Sequence, residues 1–301
     1  MPDWRNLSVL FMLALSCGHA MALNDLPTGF SNMGSVANTR HNMSQSTLVD
    51  NGNGGAAIMN PFRNRYGEVC VYCHTPHAAN ANVAAPLWNR ALSVVTYTTY
   101  NQLGTSTLSG TVTQPGAASL PCLSCHDGLQ ATDAIINMPG FGGYYPNPDP
   151  TQWNLPGNPG GLRSSQHRNL VQCMACHNAV PGGIGDGVAT DFTAFLIGTD
   201  LRDDHPIGVT FPAASGPGTD WKTPTGSRTV GPWTTRFYDE NGNGRMDKED
   251  IRLYDTGGGP KVECASCHDP HGVPGGGGTF NRTFLRKTNE QSGVCLTCHA
   301  K

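Results

Sequence analysis

The sequence predicts a protein made mostly of irregular coil, with short α-helices around a recurring motif and a few short strands. Of the 301 residues, 38 are glycine and 22 are proline, well above ordinary usage of both. Only 38% of the residues are hydrophobic. These two observations argue against a large conventional apolar core. The third observation is that the pattern C-x-x-C-H occurs five times, and each copy is expected to form a short helical turn.

The C-x-x-C-H pattern is the attachment signal for c-type haem. Its two thiols can add across the haem vinyl groups as thioethers, and the histidine that follows is then held under the iron. The five copies, called motifs 1 to 5 below, are Cys70-Val71-Tyr72-Cys73-His74, Cys122-Leu123-Ser124-Cys125-His126, Cys173-Met174-Ala175-Cys176-His177, Cys264-Ala265-Ser266-Cys267-His268 and Cys295-Leu296-Thr297-Cys298-His299. They predict five covalently attached haems, and we expect these haems to serve as the core.

Zinc sites, disulfides and redox dithiols also use C-x-x-C pairs, and these are the alternative readings. Haem attachment differs from them because it requires the histidine at the fifth position. The chain has 11 histidines, so five matches out of five by chance would occur on the order of once in ten million trials. The eleventh cysteine, Cys17, lies outside the motifs, and no thiol pair is left for a structural disulfide.

Residues 1–22 are predicted to be a cleaved secretory signal peptide. An apolar run from Leu7 to Cys17 follows Arg5, and Ala20-Met21-Ala22 fits a signal-peptidase site. The run is too short for a membrane span. Export agrees with the motifs, because c-type haem is attached outside the bacterial cytoplasm. The alternatives are a membrane-retained anchor and a lipoprotein with its lipid on Cys17, although the preceding residues form a poor recognition sequence.

The mature chain, residues 23–301, is predicted to be one pentahaem domain. Haems 1–3 fall in residues 23–185, a spacer covers 186–260, and haems 4 and 5 fall in 261–301. The formal net charge is −3 and the basic residues are dispersed, so a nucleic-acid partner is not expected. Residues Val94 to Tyr100 are rich in β-branched and aromatic side chains and predict a short strand. Trp88 is either a porphyrin contact or an ordinary small-core tryptophan.

Five histidines lie outside the signal peptide and outside the motifs, which matches the number of predicted haems. They are His41, His77, His167, His205 and His271. The matching numbers predict two histidine ligands on every iron. Methionine is the competing sixth ligand and would raise the reduction potential. The methionines considered are Met33, Met43, Met59, Met138, Met174 and Met246.

Two of these histidines follow a motif histidine by three residues. His77 follows His74, and His271 follows His268. A residue so close to the proximal ligand stays on the same side of that haem and cannot easily reach the opposite face. We therefore expect His77 and His271 each to bind the iron of a different haem, which would require closely packed haems.

The spacer contains a loop whose pattern resembles a calcium site. A calcium ion takes six to eight oxygen ligands, and a glycine at the sixth position permits a sharp turn. The oxygen donors would be Asp239, Asn241, Asn243, the carbonyl of Arg245, Asp247 and Asp250. Aspartate at position twelve, where EF-hands usually have glutamate, makes the loop similar to the dockerin-type variant. The alternative is a polar turn without a metal.

Four segments carry a resemblance to a known family. They are Cys70-Val71-Tyr72-Cys73-His74-Thr75-Pro76-His77, Asp204-His205-Pro206, Cys264-Ala265-Ser266-Cys267-His268-Asp269-Pro270-His271-Gly272 and the terminal Cys295-Leu296-Thr297-Cys298-His299. Together they resemble secreted multihaem cytochromes c with doubled C-x-x-C-H motifs, which are common in bacteria that respire metals and other extracellular acceptors. The resemblance implies electron carriage through bis-histidine haems in the periplasm or on the cell surface.

The expected function is electron transfer without bond chemistry on a substrate, with other redox proteins or cytochromes as partners. One alternative is a multihaem reductase with one open iron site. The pentahaem nitrite reductases typically carry one C-x-x-C-K motif, whereas all five motifs here end in histidine. The other alternative is a homopolymer, a filament subunit that takes a ligand from its neighbour, for which His41 is the candidate.

Overall fold

A computed structural model gives the structure of the chain. It describes residues 31–43, 68–83, 85–106, 108, 110–130, 135–137, 193–274, 281 and 283–300. Several predicted features lie outside the described residues: the signal peptide, motif 3, His167, and the methionines Met59, Met138 and Met174.

The helices are short, and the described motifs lie on them. The α-helices are α1 (Leu120–His126), α2 (Cys264–Cys267) and α3 (Cys295–Cys298). The 3₁₀ helices are Val36–Asn38, Cys70–Tyr72, Tyr100–Leu103, Thr193–Phe195 and Glu290–Ser292. A proline in the first turn favours the start of α1, because proline has no N–H that the helix would leave unpaired.

A five-stranded antiparallel sheet occupies most of the predicted spacer, a segment for which the sequence pattern predicts no strands. Its strands are β1 (Val209–Thr210), β2 (Gly226–Val230), β3 (Trp233–Phe237), β4 (Arg252–Asp255) and β5 (Lys261–Val262), in the spatial order β1-β5-β4-β3-β2. Strands β2 and β3 form a hairpin in which Val230 pairs with Trp233. The two-residue turn begins with Gly231 at φ +58°, a conformation that glycine adopts without strain.

Among the described residues, the largest apolar cluster joins this sheet to the last two motifs. Phe211, Tyr238, Ile251 and Leu253 are buried in it. The cysteines Cys267 of motif 4 and Cys298 of motif 5 pack against the same cluster. The sheet therefore acts as a platform on which α2 and α3 rest.

Two smaller clusters support the first two motifs. Val71 and Tyr72 of motif 1 pack with Ile135. Leu123 of motif 2 packs with Tyr97 and Leu201. Apolar packing in the described part of the chain is thus divided into small groups, each beside a motif, which agrees with the low apolar content of the sequence.

The prediction of a strand from Val94 to Tyr100 is wrong. Within this segment, Thr98 forms an isolated bridge to Asp200, Tyr100 begins a 3₁₀ helix, and the other residues belong to no strand. The amide side chain of Gln114 takes the place of a neighbouring strand: it accepts from Tyr97 N at 2.8 Å and donates to Tyr97 O at 2.9 Å. Side-chain pairing of this kind is not visible in a propensity pattern.

The predicted fold class is confirmed in its coarse form, since the described residues form few helices, a small sheet and much irregular chain. None of the helices among the described residues has the length and apolar content needed to cross a membrane.

Candidate haem attachment sites

Each described motif is wound into a helical turn that brings its two thiols and its histidine together. The histidine N–H donates to the carbonyl of the first cysteine: His74 to Cys70 at 2.8 Å, His268 to Cys264 at 3.2 Å and His299 to Cys295 at 2.9 Å. Residues three and four positions apart share one face of a helical turn, which explains the C-x-x-C-H spacing. All eight described motif cysteines are free thiols.

The motif histidines are oriented by main-chain carbonyls. The Nδ1 atom of His74 lies 2.7 Å from Pro86 O, that of His126 lies 2.7 Å from Phe195 O, and that of His268 lies 2.5 Å from Thr283 O. A carbonyl oxygen can only accept, so each Nδ1 carries the proton and each Nε2 lone pair is free for a metal. Burial lowers the pKa of all three rings, which favours the neutral, ligating form.

Two motif histidines each face a histidine from a distant part of the chain. The ring centroids of His74 and His271 are 6.1 Å apart with an interplanar angle of 17°. Those of His126 and His41 are 6.2 Å apart with an angle of 72°. Metal–nitrogen bonds of about 2 Å on each side of one ion would give about this centroid separation. The four imidazoles therefore fit two six-coordinate irons.

A third histidine from outside the motifs, His205, is coupled electrostatically to motif 5. Burial lowers the pKa of His205, and repulsion from the His299 ring lowers it further. The His299 ring also contacts Trp221, with a centroid distance of 4.4 Å. The chain before β2 and the C-terminal motif are held together by main-chain bonds, since Lys222 N donates to Cys298 O at 2.8 Å.

The two facing histidines from outside the motifs have different partners. The Nδ1 atom of His41 lies 3.1 Å from Pro270 O, and burial lowers the pKa of His41 to about 4. The Nδ1 atom of His271 instead lies 3.0 Å from a carboxylate oxygen of Asp269. Burial would raise the pKa of Asp269, but the hydrogen bond from His271 and the charge of Arg286 lower it below its usual range.

Motifs 1 and 2 are neighbours across a buried arginine. The Arg90 side chain, 1% exposed, donates to Ser124 O at 3.1 Å and to Tyr72 O at 3.5 Å. Both acceptors lie inside C-x-x-C segments. The pKa of Cys73 is raised to about 11 by burial and by the nearby thiol of Cys125.

Motif 4 lies between motifs 2 and 5. The neighbouring thiol of Cys264 and burial raise the pKa of Cys122. The pKa of Cys267 is raised to about 12 by burial and by the thiol of Cys298. These thiols no longer titrate once they are bonded to haem. In the free chain, each of these pKa changes is caused in part by a thiol of the neighbouring motif. The described motifs are therefore adjacent in the order 1, 2, 4, 5.

A buried carboxylate fixes motif 4 against motif 2. Glu263, 1% exposed, accepts from Gly116 N at 3.1 and 3.0 Å and from the hydroxyl of Ser119. The same hydroxyl accepts from Cys264 N at 2.8 Å. This network joins the start of α2 to the turn before α1.

Trp88 lies beside motif 1 and has a polar atom without a partner. Its ring meets His74 edge-on with a centroid distance of 5.8 Å, and its main chain bridges to His74. The residue is buried, and its Nε1–H has no hydrogen-bond partner among the residues that the structure describes. A buried donor of this kind needs an acceptor, and a haem carboxylate next to His74 would fit.

The remaining candidate ligands are placed as follows. The ring of His77 is exposed, and its carbonyl accepts from the Asn137 side chain at 3.0 Å. Met43 is exposed, and Met33 and Met246 are half-buried. His167, His177, Cys173 and Cys176 lie outside the described residues.

The predicted calcium loop connects β3 to β4. Asp239 accepts from Asn243 N and Gly244 N, Asp250 accepts from Asp247 N, and the Asn241 and Asn243 amides donate to Asp247. Within the described residues, no three His, Cys, Asp or Glu side chains are grouped closely enough to hold a metal. A calcium ion would therefore depend on the amide and main-chain oxygens of Asn241, Asn243 and Arg245 as well.

Sequence reasoning missed four charged residues that shape these sites. They are Arg90, Glu263, Asp269 and Arg286, and each is at most 5% exposed. The only signals available were that Glu263 directly precedes motif 4 and that Asp269 directly follows it. The role of the two arginines depends on contacts made far along the chain.

Comparisons with known proteins agree with the motif reading over the C-terminal part of the chain. Residues 259–301 match the family described as the doubled CXXCH motif. Neither the curated proteins nor the solved structures contain a match. The family match supports a c-type cytochrome-like multihaem family, and the C-x-x-C-H motifs indicate covalent binding of c-type haem.

Proposed function

We propose that this chain carries electrons between other redox proteins through five c-type haems, each with two histidine ligands. The observation that supports this best is the presence of two pairs of facing imidazoles, with centroid separations of 6.1 and 6.2 Å. In each pair, one ring belongs to a C-x-x-C-H motif and the other comes from the set of free histidines. Bound haem would supply reversible one-electron chemistry between ferric and ferrous iron.

The proposed axial pairs follow from these contacts. His271 serves the haem of motif 1, His41 that of motif 2, and His205 that of motif 5. His77 and His167 are then left for motifs 3 and 4, and we assign His77 to a haem other than that of motif 1. This agrees with the expectation that His271 serves a haem other than that of its own motif.

The chain's own residues hold these ligands in place. Main-chain carbonyls accept from the Nδ1 atoms of His74, His126 and His268, so the Nε2 atom of each of these rings would be free to bind iron. Arg90, Glu263 and the sheet keep successive motifs close together. The motifs are neighbours in the order 1, 2, 4, 5, and this arrangement supports an electron path through their haems in that order. Export to the periplasm or cell surface is part of the proposal, since c-type haem attachment occurs there.

The test is an intact mass combined with low-temperature EPR of the purified ferric protein. Five haems and purely low-spin iron are expected. Five haems with one high-spin signal would instead favour the alternative, a reductase with one open iron, and would direct attention to substrates.

A filament that borrows His41 is disfavoured by the position of this ring opposite His126 in the same chain. Electron microscopy of native preparations tests for polymers.

We also propose that the loop from Asp239 to Asp250 binds one calcium ion. The support is the D-x-N-x-N-G pattern and the turn that gathers these side chains between two paired strands. Calcium would stabilise the β3–β4 connection and so the platform beneath motifs 4 and 5.

A further inference from the structure

The partner of the His271 ring differs in kind from the partners of the other oriented imidazoles. His41, His74, His126 and His268 each place Nδ1 against a main-chain carbonyl. His271 places Nδ1 3.0 Å from a carboxylate oxygen of Asp269. The same oxygen also accepts from His271 N at 3.0 Å. One carboxylate oxygen of Asp269 thus bonds both the main chain and the ring of His271, and these two bonds orient the ring.

Asp269 is itself fixed by a buried cation. Its side chain is 8% exposed, and its second oxygen lies 3.3 Å from Arg286 Nη1. Arg286, whose side chain is 3% exposed, also donates to Ala265 O at 3.0 Å and to Lys248 O at 2.7 Å. This network holds Asp269 as a charged carboxylate and leaves one of its oxygens directed at His271.

We propose that Asp269 is a positioning residue that sets the ligand strength of His271 and thereby lowers the reduction potential of the haem of motif 1. A carboxylate polarises the Nδ1–H bond more than a carbonyl does, which makes Nε2 a stronger donor to iron. A stronger donor stabilises ferric over ferrous iron. This inference rests on the proposed function.

The effect is assigned to motif 1 although Asp269 directly follows motif 4 in the sequence. His271 faces His74 across 6.1 Å, whereas the Nδ1 of His268 faces Thr283 O. If Asp269 acted merely as a nearby buried charge, the haem of motif 4 would respond instead. The identity of the responding haem therefore separates the two explanations.

The chain offers a matched control in motif 2. Asp127 directly follows His126, as Asp269 follows His268, and the two are 3% and 5% exposed. Asp127, however, accepts from the Tyr97 hydroxyl at 3.1 Å and from Leu129 N at 2.9 Å. Asp127→Asn removes the same charge at the same motif position without changing a bond to an imidazole.

The experiment compares Asp269→Asn and Asp127→Asn by EPR-monitored redox titration. The signal of the motif 1 haem is identified as the one lost in His74→Met, and that of the motif 4 haem as the one lost in His268→Met. Asp269→Asn should raise the midpoint potential of the motif 1 signal and change its g values. In this variant, the positive charge of Arg286 is no longer neutralised by Asp269, and this charge also raises the midpoint potential. Asp127→Asn should leave the g values of every signal unchanged.

A shift confined to the motif 4 signal, or g values unchanged in Asp269→Asn, would overturn the proposal. If Asp269→Asn fails to mature, pulsed EPR of the wild-type protein replaces it. The remote imidazole nitrogen of the motif 1 signal should then show a quadrupole coupling distinct from that of motif 2, and equal couplings would contradict the proposal. Absence of haem or of low-spin iron in the wild type would instead refute the proposed function.

Discussion

The Nδ1 atom of His41 lies 3.1 Å from the carbonyl oxygen of Pro270, which is 229 residues further along the chain. This contact places the segment 31–43 against the residues that follow motif 4. Asn281 N donates to Ser31 O at 2.9 Å, and Phe284 stacks on His41 with a centroid distance of 4.5 Å. The ring facing motif 2 is therefore positioned by residues that surround motif 4.

Gly272→Ala should disturb this contact. Gly272 has φ +83°, and a Cβ there would lie 3.0 Å from the Thr39 side chain and 3.2 Å from Asn32 O. Displacing the segment 31–43 should move His41 and produce a high-spin EPR signal from the motif 2 haem. Gly34→Ala is the control, because Gly34 has φ +80° but no atom near its Cβ position. If the same high-spin signal appeared in both variants, it would be caused by backbone strain at a positive φ and not by the contact of Gly272 with the segment 31–43.

Lys248→Met should weaken the same region. Its Nζ donates to Gly34 O at 2.7 Å and to Gly272 O at 3.0 Å, and so joins the loop after β3 to both segments. Loss of these charge-assisted bonds should lower the free energy of unfolding by about 1–3 kcal/mol, as measured by urea denaturation. Lys222→Met, which removes a bond to Leu296 O inside motif 5, is the control. Changes in the EPR signals of motifs 1 and 2 should occur in Lys248→Met and be absent from Lys222→Met.

Glu263→Gln should alter the pH dependence of stability. Burial raises the pKa of Glu263 above its usual 4.5, partly offset by hydrogen bonds from Ser119 and Gly116. The folded state then binds the proton more tightly than the unfolded state, so the contribution of Glu263 falls as pH rises from about 4.5 through the folded pKa. The difference in unfolding free energy, wild type minus variant, should fall over that range in urea titrations. Glu290→Gln is the control for the loss of one exposed acid. If the difference in unfolding free energy between wild type and Glu263→Gln did not change with pH, the expectation would be contradicted.

Calcium should bind the chelator-treated protein with measurable heat and raise its melting temperature. Asp247→Asn should weaken both effects. The Asp247 carboxylate is one of the proposed calcium ligands, and it lies against two others because it accepts from the amides of Asn241 and Asn243. Asp255→Asn, at the end of β4 and outside the loop, should leave them unchanged. Titration calorimetry and a melting curve provide the measurements. No heat and no shift in the wild type would remove the site.

The sequence by itself determined the local chemistry of this protein. The C-x-x-C-H spacing dictates one helical turn with its thiols and histidine on one face, whatever surrounds it, because the bonds involved span only four residues. The coarse fold class followed from glycine, proline and apolar content. The sheet in residues 209–262 was not identified, since its strands are short and their pairing is set by register and by the apolar cluster that includes Ile251 and Leu253.

The tertiary structure decided which residues from distant parts of the chain meet. The number of free histidines suggested two ligands per iron but gave no pairing. The pairing of His126 with His41 depends on how the segment 31–43 packs on the turn after motif 4, and the pairing of His74 with His271 depends on how that turn packs against motif 1. The carboxylate behind His271 likewise depends on Arg286, which is buried only in the folded chain. Contacts between residues far apart in sequence arise from packing and leave no periodic pattern by which they could be read in advance.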